Sequence, residues 1–384
     1  MRKERLARLH RYGGEAETGR GELRITIWGL TVSSSWGNGH ATLWRGLIRA
    51  LGRAGHEVTF VERDAPWYAE NRDLTDLPDG RLVLYRDWSD LDLRALLDCD
   101  AAIVTSYCPD ARLASKLVTD AVRPVSIFYD LDTPVTLARL AAGEAVDYLP
   151  AEGLGGFDLV LSYTGGPALT ALRERLGARD PRPLYGHVDP DVHRPAPSHP
   201  PFTGDLSYLG TYAADRQAVL ERLFTDAAAA SPDRRFVLGG SGYPADFPWA
   251  SNIFFVRHIP PADHPAFFCS SRLTLNVTRA DMAAMGWCPS GRLFEAAACG
   301  APILSDDWDG LDRFFTPGEE IMLAADTADA LAALELSDAE LARIAACARE
   351  RVLAEHSSAS RAAELVALIE RTSTSAASES AIAA

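Results

Sequence analysis

Short apolar runs rich in Val, Ile and Leu alternate with stretches of helical periodicity along this chain, and one proline-rich break divides the pattern in two. Before the break the runs are Arg24 to Trp28, Glu57 to Glu62, Arg81 to Tyr85, Asp100 to Thr105, Pro124 to Tyr129 and Phe157 to Leu161. A helix is expected from Asn38 to Ala54, with Leu43, Leu47, Ile48 and Leu51 on one face. Continuous apolar strands alternating with helices are the pattern of parallel βαβ units, whose sheets are covered on both faces. Between His187 and Thr203 five prolines fall in one short span, which can continue neither a helix nor a central strand. The pattern then restarts, with strands expected at Asp205 to Leu209, Arg235 to Leu238, Asn252 to Arg257, Leu273 to Val277 and Pro302 to Ser305. Helices are expected at Ala213 to Ala229, Gly291 to Cys299 and through most of Ala328 to Thr372.

At 384 residues the chain exceeds what one core holds, since single cores stop growing near ~250–300 residues. The expected organisation is a flexible N-terminal arm (1–22), an α/β domain (23–187), a Pro-rich linker (188–202), a second α/β domain (203–355), a C-terminal helix (356–371) and a disordered Ser/Ala/Thr-rich tail (372–384). The fold class is α/β, and a ligand is expected in the cleft between the domains, at the carboxyl ends of the strands.

The net charge of −15 argues against nucleic acid as a partner, because a phosphate backbone demands a basic footprint. It leaves room for a small phosphate-bearing ligand held by one or two arginines. The six cysteines form no C-x-x-C pair, so neither a zinc site nor a redox motif is read, no metal is expected, and reduced thiols fit a cytoplasmic protein. No run approaches the ~18–20 apolar residues of a membrane span. The basic N-terminus lacks the apolar core of a secretory signal. The oligomeric state is not legible.

Three segments carry candidate chemistry. In Cys288-Pro-Ser-Gly-Arg-Leu-Phe-Glu-Ala-Ala-Ala-Cys-Gly-Ala-Pro302, Ser290 and Gly291 start a short helix that Gly300 stops. Leu293, Phe294, Ala297 and Ala298 share one face, and Arg292, Glu295 and Cys299 the opposite stripe. The helix start and Arg292 suit a diphosphate, and Glu295 can accept from vicinal sugar hydroxyls. A solvated Arg292–Glu295 pair is the competing reading. Next, Ser33-Ser-Ser-Trp-Gly-Asn-Gly-His-Ala-Thr42 follows the first strand, offering Trp36, Gly37, Asn38 and Gly39 to a ligand and His40 as a general base, with a helix-capping or structural histidine as the competing reading. It is not G-x-G-x-x-G, which sets aside a dinucleotide oxidoreductase. Finally, Phe128-Tyr-Asp-Leu-Asp-Thr-Pro134 ends an apolar strand with Asp130 and Asp132, either bases or acceptor ligands, with Asp132 open to a helix-capping role. Gly210 and Arg216 at the start of the second domain's first helix, and Arg279 after a later strand, are further candidates.

With Ser-Ser-Trp-Gly-Asn-Gly-His40, Tyr129-Asp-Leu-Asp-Thr-Pro134, Ser162-Tyr-Thr-Gly-Gly-Pro167, Arg292-Leu-Phe-Glu-Ala-Ala-Ala-Cys-Gly-Ala-Pro302 and Asp306 to Ile321, the chain resembles the CgeB-like, spore-maturation-type glycosyltransferases of the GT-B group. The resemblance implies two Rossmann-like parallel-sheet domains facing across a cleft, an acceptor domain at 23–187 and a nucleotide-sugar domain at 203–355. It implies transfer from a nucleotide-diphosphate sugar, a UDP-sugar by preference, to a hydroxyl on a small molecule, glycan or protein, with no cofactor and no catalytic metal. Ser290, Gly291, Arg292, Glu295, Gly210, Arg216, Arg279 and, in a base-recognition loop, His258 would bind donor, while His40, Asp130 and Asp132 would serve catalysis. Many such enzymes carry paired glutamates as E-x7-E; Glu295 matches the second, and Trp287 stands at the first. The last helix is expected to cross back onto the first domain. A nucleotide-sugar epimerase or hydrolase, and a non-catalytic sugar-nucleotide-binding protein, are the competing functions.

Overall fold

The computed structural model describes residues 21–382. The chain forms two compact units: one holds the sequence up to Tyr185 together with the segment from Arg361 onward, and the other is Gly186–Ser360. The expected N-terminal arm lies outside the described residues apart from Gly21 and Glu22.

The first unit is built on seven parallel strands: β1 (Arg24–Gly29), β2 (Glu57–Arg63), β3 (Arg81–Tyr85), β4 (Ala101–Thr105), β5 (Val125–Asp130), β6 (Leu159–Ser162) and β7 (Pro181–Pro183). Their spatial order is β3-β2-β1-β4-β5-β6-β7, so the winding reverses between β1 and β4. β4, β5 and β6 are buried at every position, which is why they read as unbroken apolar runs. On one face the helix His40–Arg53 buries Trp44 between Phe60 and Tyr129, with ring centroids 5.8 and 5.9 Å away. On the other, Trp28, Val104, Phe128 and Phe157 form a separate cluster. β7 was not anticipated: it is three residues long and carries two prolines, which an edge strand tolerates.

The second unit has β8 (Gly204–Leu209), β9 (Phe236–Gly240), β10 (Ile253–Arg257), β11 (Ser271–Asn276), β12 (Ile303–Ser305) and β13 (Met322–Leu323), all parallel, in the order β10-β9-β8-β11-β12-β13. Here the winding reverses between β8 and β11. Both units are therefore doubly wound sheets, and each has a switch point where ligands bind in such sheets.

Three expectations are revised. The single helix from Ala213 to Ala229 is instead a 3-10 turn (Ala214–Arg216), an α turn (Gln217–Leu220), a π segment (Glu221–Thr225) and a last α turn (Asp226–Ala230). Within the wide segment the Thr225 hydroxyl donates to the Glu221 carbonyl at 3.1 Å, which offers that backbone acceptor a side-chain partner. The proline-rich stretch packs into the second unit rather than forming a free linker. Ala196 N donates to Cys269 Sγ (3.4 Å), His199 N to Ser270 Oγ (2.8 Å), and Phe202 is buried. The last helix runs Ser358–Ile382, past Arg371 into the expected disordered tail, where the Thr372 and Thr374 hydroxyls donate to the Leu368 and Glu370 carbonyls.

That helix completes the first unit's core. Ala362, Leu365, Leu368 and Ile369 join the cluster around Trp44, Leu47 and Ile103. Leu365 is fully buried, so Leu365→Ala should cost about 2–4 kcal/mol through lost apolar contact and a residual cavity. Urea unfolding followed by Trp44-region fluorescence and near-UV dichroism should show the loss in the transition assigned to the first unit; an unchanged midpoint would contradict this packing.

Candidate functional site

In the first unit the glycine loop leaves β1 at the switch point and is anchored by a buried anion. Glu62, in β2 and fully buried, accepts from Val32 N (2.7 Å), Ser33 N (3.0 Å), Ser33 Oγ (2.6 Å) and Thr31 Oγ1 (3.0 Å). Four donors offset the cost of burying the charge. Sequence reading missed Glu62, although a carboxylate inside an apolar strand is itself a signal. Asn38 is a structural part of this loop rather than a free ligand group. Its amide donates to the Ser34 and Trp36 carbonyls, and its Oδ1 accepts from Ala41 N at 3.2 Å at the helix start. Gly37 has φ +69°, a conformation glycine favours, whereas Gly39 is an ordinary helix N-cap at φ −91°. Trp36 is half-buried beside them.

His40 opens the helix, and its ring lies edge-on to Tyr107 with centroids 5.7 Å apart. Burial pushes its pKa down to about 4, so the imidazole is neutral at physiological pH, and Nδ1 has no hydrogen-bond partner. Tyr107 follows β4 with a left-handed backbone, φ 62°, and its ring lies 4.9 Å from that of Tyr148. Such a conformation in a bulky residue is strained and persists only where the surroundings enforce it. Tyr148 shares a 2.7 Å hydrogen bond with the Thr136 hydroxyl. Asp130, at the end of β5, is fully buried; Oδ1 accepts from Asp132 N at 3.1 Å while Oδ2 has no partner. Burial raises its pKa to about 6. Burial, joined by the charges of Asp130 and Asp132, raises the pKa of both tyrosines, which puts these phenols within the field of the carboxylates. Asp132 stands at the start of the Thr133–Ala141 helix without capping it through its side chain. The structure thus joins His40 and Asp130 through two tyrosines that sequence reading did not single out.

In the second unit the switch point gathers the ends of β8, β9 and β11 and the helix Gly291–Ala298. Arg292 does not lie on an open stripe. Its Nη1 donates to Asn276 Oδ1 at 3.0 Å, and its guanidinium carbon sits 5.2 Å from the centre of the Tyr208 ring. Cys299, expected on the same outward stripe, is buried because the helix packs on two sides. Asn276 is oriented by its own amide, which donates to Ser305 Oγ at 3.0 Å. Burial lowers the Arg292 pKa, and neighbouring Arg216 lowers it further against the opposing influence of Tyr208, Glu295 and Tyr243, so two cations and one carboxylate share this end of the sheet. Among the described residues no carboxylate lies within ion-pair distance of Arg292. The Tyr208 hydroxyl is buried and has no hydrogen-bond partner.

Gly210 is required here: a Cβ would stand 2.7 Å from Tyr208 Oη and 3.0 Å from Arg292 Nη2. Ser290 is the helix N-cap and makes no side-chain cap bond, and Gly291 is the first helical residue. Glu295, one turn on, keeps a side chain 17% exposed, with Oε1 3.9 Å from His193 Nε2. Arg216 donates to the Thr211 carbonyl. Arg279 is paired with Asp215 Oδ2 at 2.9 Å, so its charge already has a partner. His258 follows β10 with φ 52° and donates its N–H to Gly240 O at 2.8 Å. Trp287, where the first glutamate of the pair would stand, is a built wall: φ 52°, its N–H on Asp309 O at 2.7 Å, its ring covering Gly310.

Residues 216–367 match the family model described as glycosyl transferase-like, a stretch that holds Arg216, Arg292 and Glu295. No curated protein matches the chain. Sucrose-phosphate synthase from Thermosynechococcus elongatus is similar in structure, with a TM-score of 0.67 at 16% identity, covering 92% of this chain and 100% of that one. HepE of Anabaena in complex with UDP-glucose gives 0.61 at 12% identity, covering 92% and 100%. The β-glucosyltransferase of phage T4 in complex with its UDP-glucose substrate gives 0.58 at 14%, covering 92% and 99%. At such identities the likeness is one of fold, and the fold of this chain is GT-B.

Proposed function

We propose that this chain is a glycosyltransferase that moves a sugar from a UDP-sugar to a hydroxyl acceptor. The observation that carries the reading is Arg292: a half-buried guanidinium at a switch point, hydrogen-bonded to a neutral amide, with Arg216 near, Glu295 acting on it only at longer range and, among the described residues, no carboxylate in ion-pair reach. A partly desolvated cation without a close counter-ion is costly, and a bound diphosphate supplies one. In this reading the Ser290–Arg292 helix start and Arg216 hold the diphosphate, Gly210 lets it approach the backbone, and Glu295 accepts from the ribose hydroxyls. Arg292 and the helix end stabilise the charge that develops on the leaving group, which requires no catalytic metal there. His258, held at the end of β10, is offered to the base. Arg279 is a lesser candidate because Asp215 occupies it. Uridine is favoured because HepE and the phage enzyme hold UDP-glucose. The glycosyl transferase-like match over 216–367 supports the same reaction class, and the CgeB-like motifs make that family the narrower assignment.

The acceptor is assigned to the first unit, between the glycine loop, Tyr107 and Tyr148. His40, neutral and with Nδ1 unpartnered, and Asp130, whose Oδ2 is unpartnered, are the two available bases. Asp132 is placed with the acceptor. The compartment that suits reduced thiols and a nucleotide-sugar pool is the cytoplasm.

UDP should raise the thermal midpoint of the protein by mass action, more than GDP, ADP or dTDP at equal concentration. Arg292→Ala should weaken UDP binding at least ~30-fold, in line with about 2–4 kcal/mol for a desolvated charge-assisted contact. Glu295→Ala should weaken it about 10-fold. An unchanged UDP affinity in both variants would remove the donor site from this position. Sugar release from UDP-glucose without any acceptor, at the rate seen with one, would make the enzyme a hydrolase instead.

Asp130 gives a prediction of opposite signs for activity and stability. Its pKa rises from 3.8 to about 6 on folding, so the folded state holds the proton more tightly than the unfolded state. Its contribution is therefore fully present below pH ~4 and is lost as pH rises through about 6. At pH 7.5 Asp130→Asn should stabilise the first unit by up to about 2–3 kcal/mol while abolishing most transfer activity. The stability gain should vanish near pH 4, which denaturant titrations at the two pH values would show. A gain that is equal at both would exclude a buried charged carboxylate as its origin.

A further inference from the structure

We infer that His193, His264 and Glu295 form a divalent transition-metal site of the zinc type within the second unit. One ligand atom from each lies within 4.8 Å of the others. His193 is 1% exposed, and neither of its ring nitrogens has a hydrogen-bond partner. His264 Nδ1 is likewise buried and unpartnered. Most buried polar atoms find a partner, and here two imidazoles that each keep an unpartnered nitrogen flank one carboxylate.

The tautomer of His264 follows from its other nitrogen. Nε2 lies 3.1 Å from the Ile259 carbonyl, which can only accept, so Nε2 carries the proton and Nδ1 presents a lone pair. An imidazole whose second nitrogen donates to a backbone carbonyl is the usual outer support of a metal-bound histidine. His193 Nε2 stands 3.9 Å from Glu295 Oε1, too far for a hydrogen bond. Two ligands bound at ~2.0–2.2 Å to one tetrahedral ion sit roughly 3.3–3.6 Å apart, so a small inward movement completes the geometry. The three residues come from well-held elements: His193 from a turn whose N–H donates to Asp189 O at 2.8 Å, His264 from the start of the His264–Ser270 helix, and Glu295 from Gly291–Ala298. Two imidazoles and one carboxylate, with one position left to water, suit zinc or cobalt and would not suit magnesium or calcium. Arg292 is the nearby cation that opposes an ion here, and its guanidinium is directed to Asn276. Bound through one oxygen, Glu295 is fixed in orientation and keeps its other oxygen for a ligand. The inference shares Glu295 with the donor reading and does not depend on it.

The test uses full-length protein stripped with a chelator and no nucleotide present. Titrated Co²⁺ should give visible d–d bands that saturate at one equivalent and are displaced by Zn²⁺. His193→Ala, His193→Gln and His264→Ala should each weaken uptake at least ~10-fold, while His199→Ala, an exposed histidine of the same stretch, should leave it unchanged. Far-UV dichroism and the thermal midpoint confirm that each variant is folded, and His193→Gln, nearly isosteric, guards against collapse of the alanine variant. Absence of the bands in the native chain, or their persistence in both histidine positions' variants, overturns the site. UDP affinity measured separately on stripped protein reports on the donor reading alone.

Discussion

The second unit is organised around one half-buried guanidinium, that of Arg292. Two glycines make room for it at adjacent strand ends. A Cβ on Gly240 would fall 2.0 Å from the Gly210 carbonyl, and one on Gly210 would meet both Tyr208 and Arg292. With both absent, the turn after β8 presses against the end of β9, and Tyr243 Oη locks it by donating to Gly210 O at 2.9 Å. Asn276, held by Ser305 and in turn by the Asp306 network, presents its one acceptor to Arg292. A neutral acceptor fixes the cation without discharging it. Glu295 acts on it only at longer range, so the site keeps room for a further anion that a directly paired carboxylate would have taken.

The first unit handles buried charge in the opposite ways on its two carboxylates. Glu62 receives four donors and so serves as scaffold for the loop ahead of His40. Asp130 is buried just as fully yet keeps one oxygen unpartnered, and its proton is correspondingly hard to remove. The two carboxylates differ in how fully their oxygens are met by donors, since both sit in parallel strands of the same sheet. Tyr107 is held in a left-handed backbone at the turn after β4, a strained conformation for a bulky residue.

How far these features can be read from sequence follows from their range. Strands β1, β4, β5 and β6 were legible because double-sided burial demands continuous apolar runs, and the helix Gly291–Ala298 because Ser290, Gly291 and Gly300 mark its ends. β7 and β13 were not, being edge strands of three and two residues. Arg292 and Glu295 were found from local spacing, but the partners that hold Arg292, among them Tyr208, Gly210 and Asn276, lie 16 or more positions away. The grouping of His193, His264 and Glu295 spans a hundred residues and leaves no spacing to detect. Asn38 reads as a ligand residue from composition, and only the loop's three-dimensional path shows that its amide is already used.

The return of the last helix to the first unit has a consequence for the order of assembly. The second unit is one unbroken stretch of chain, Gly186–Ser360, whereas the first needs Ala362, Leu365, Leu368 and Ile369 to close its core. On a ribosome, where domains fold as units as they emerge, the part made first therefore waits for the part made last. Until then the surface around Trp44 and Leu47 lacks its cover, so a chain stalled late in synthesis would hold a finished second unit and an unsealed first one, and would be the form most exposed to chaperones and proteases.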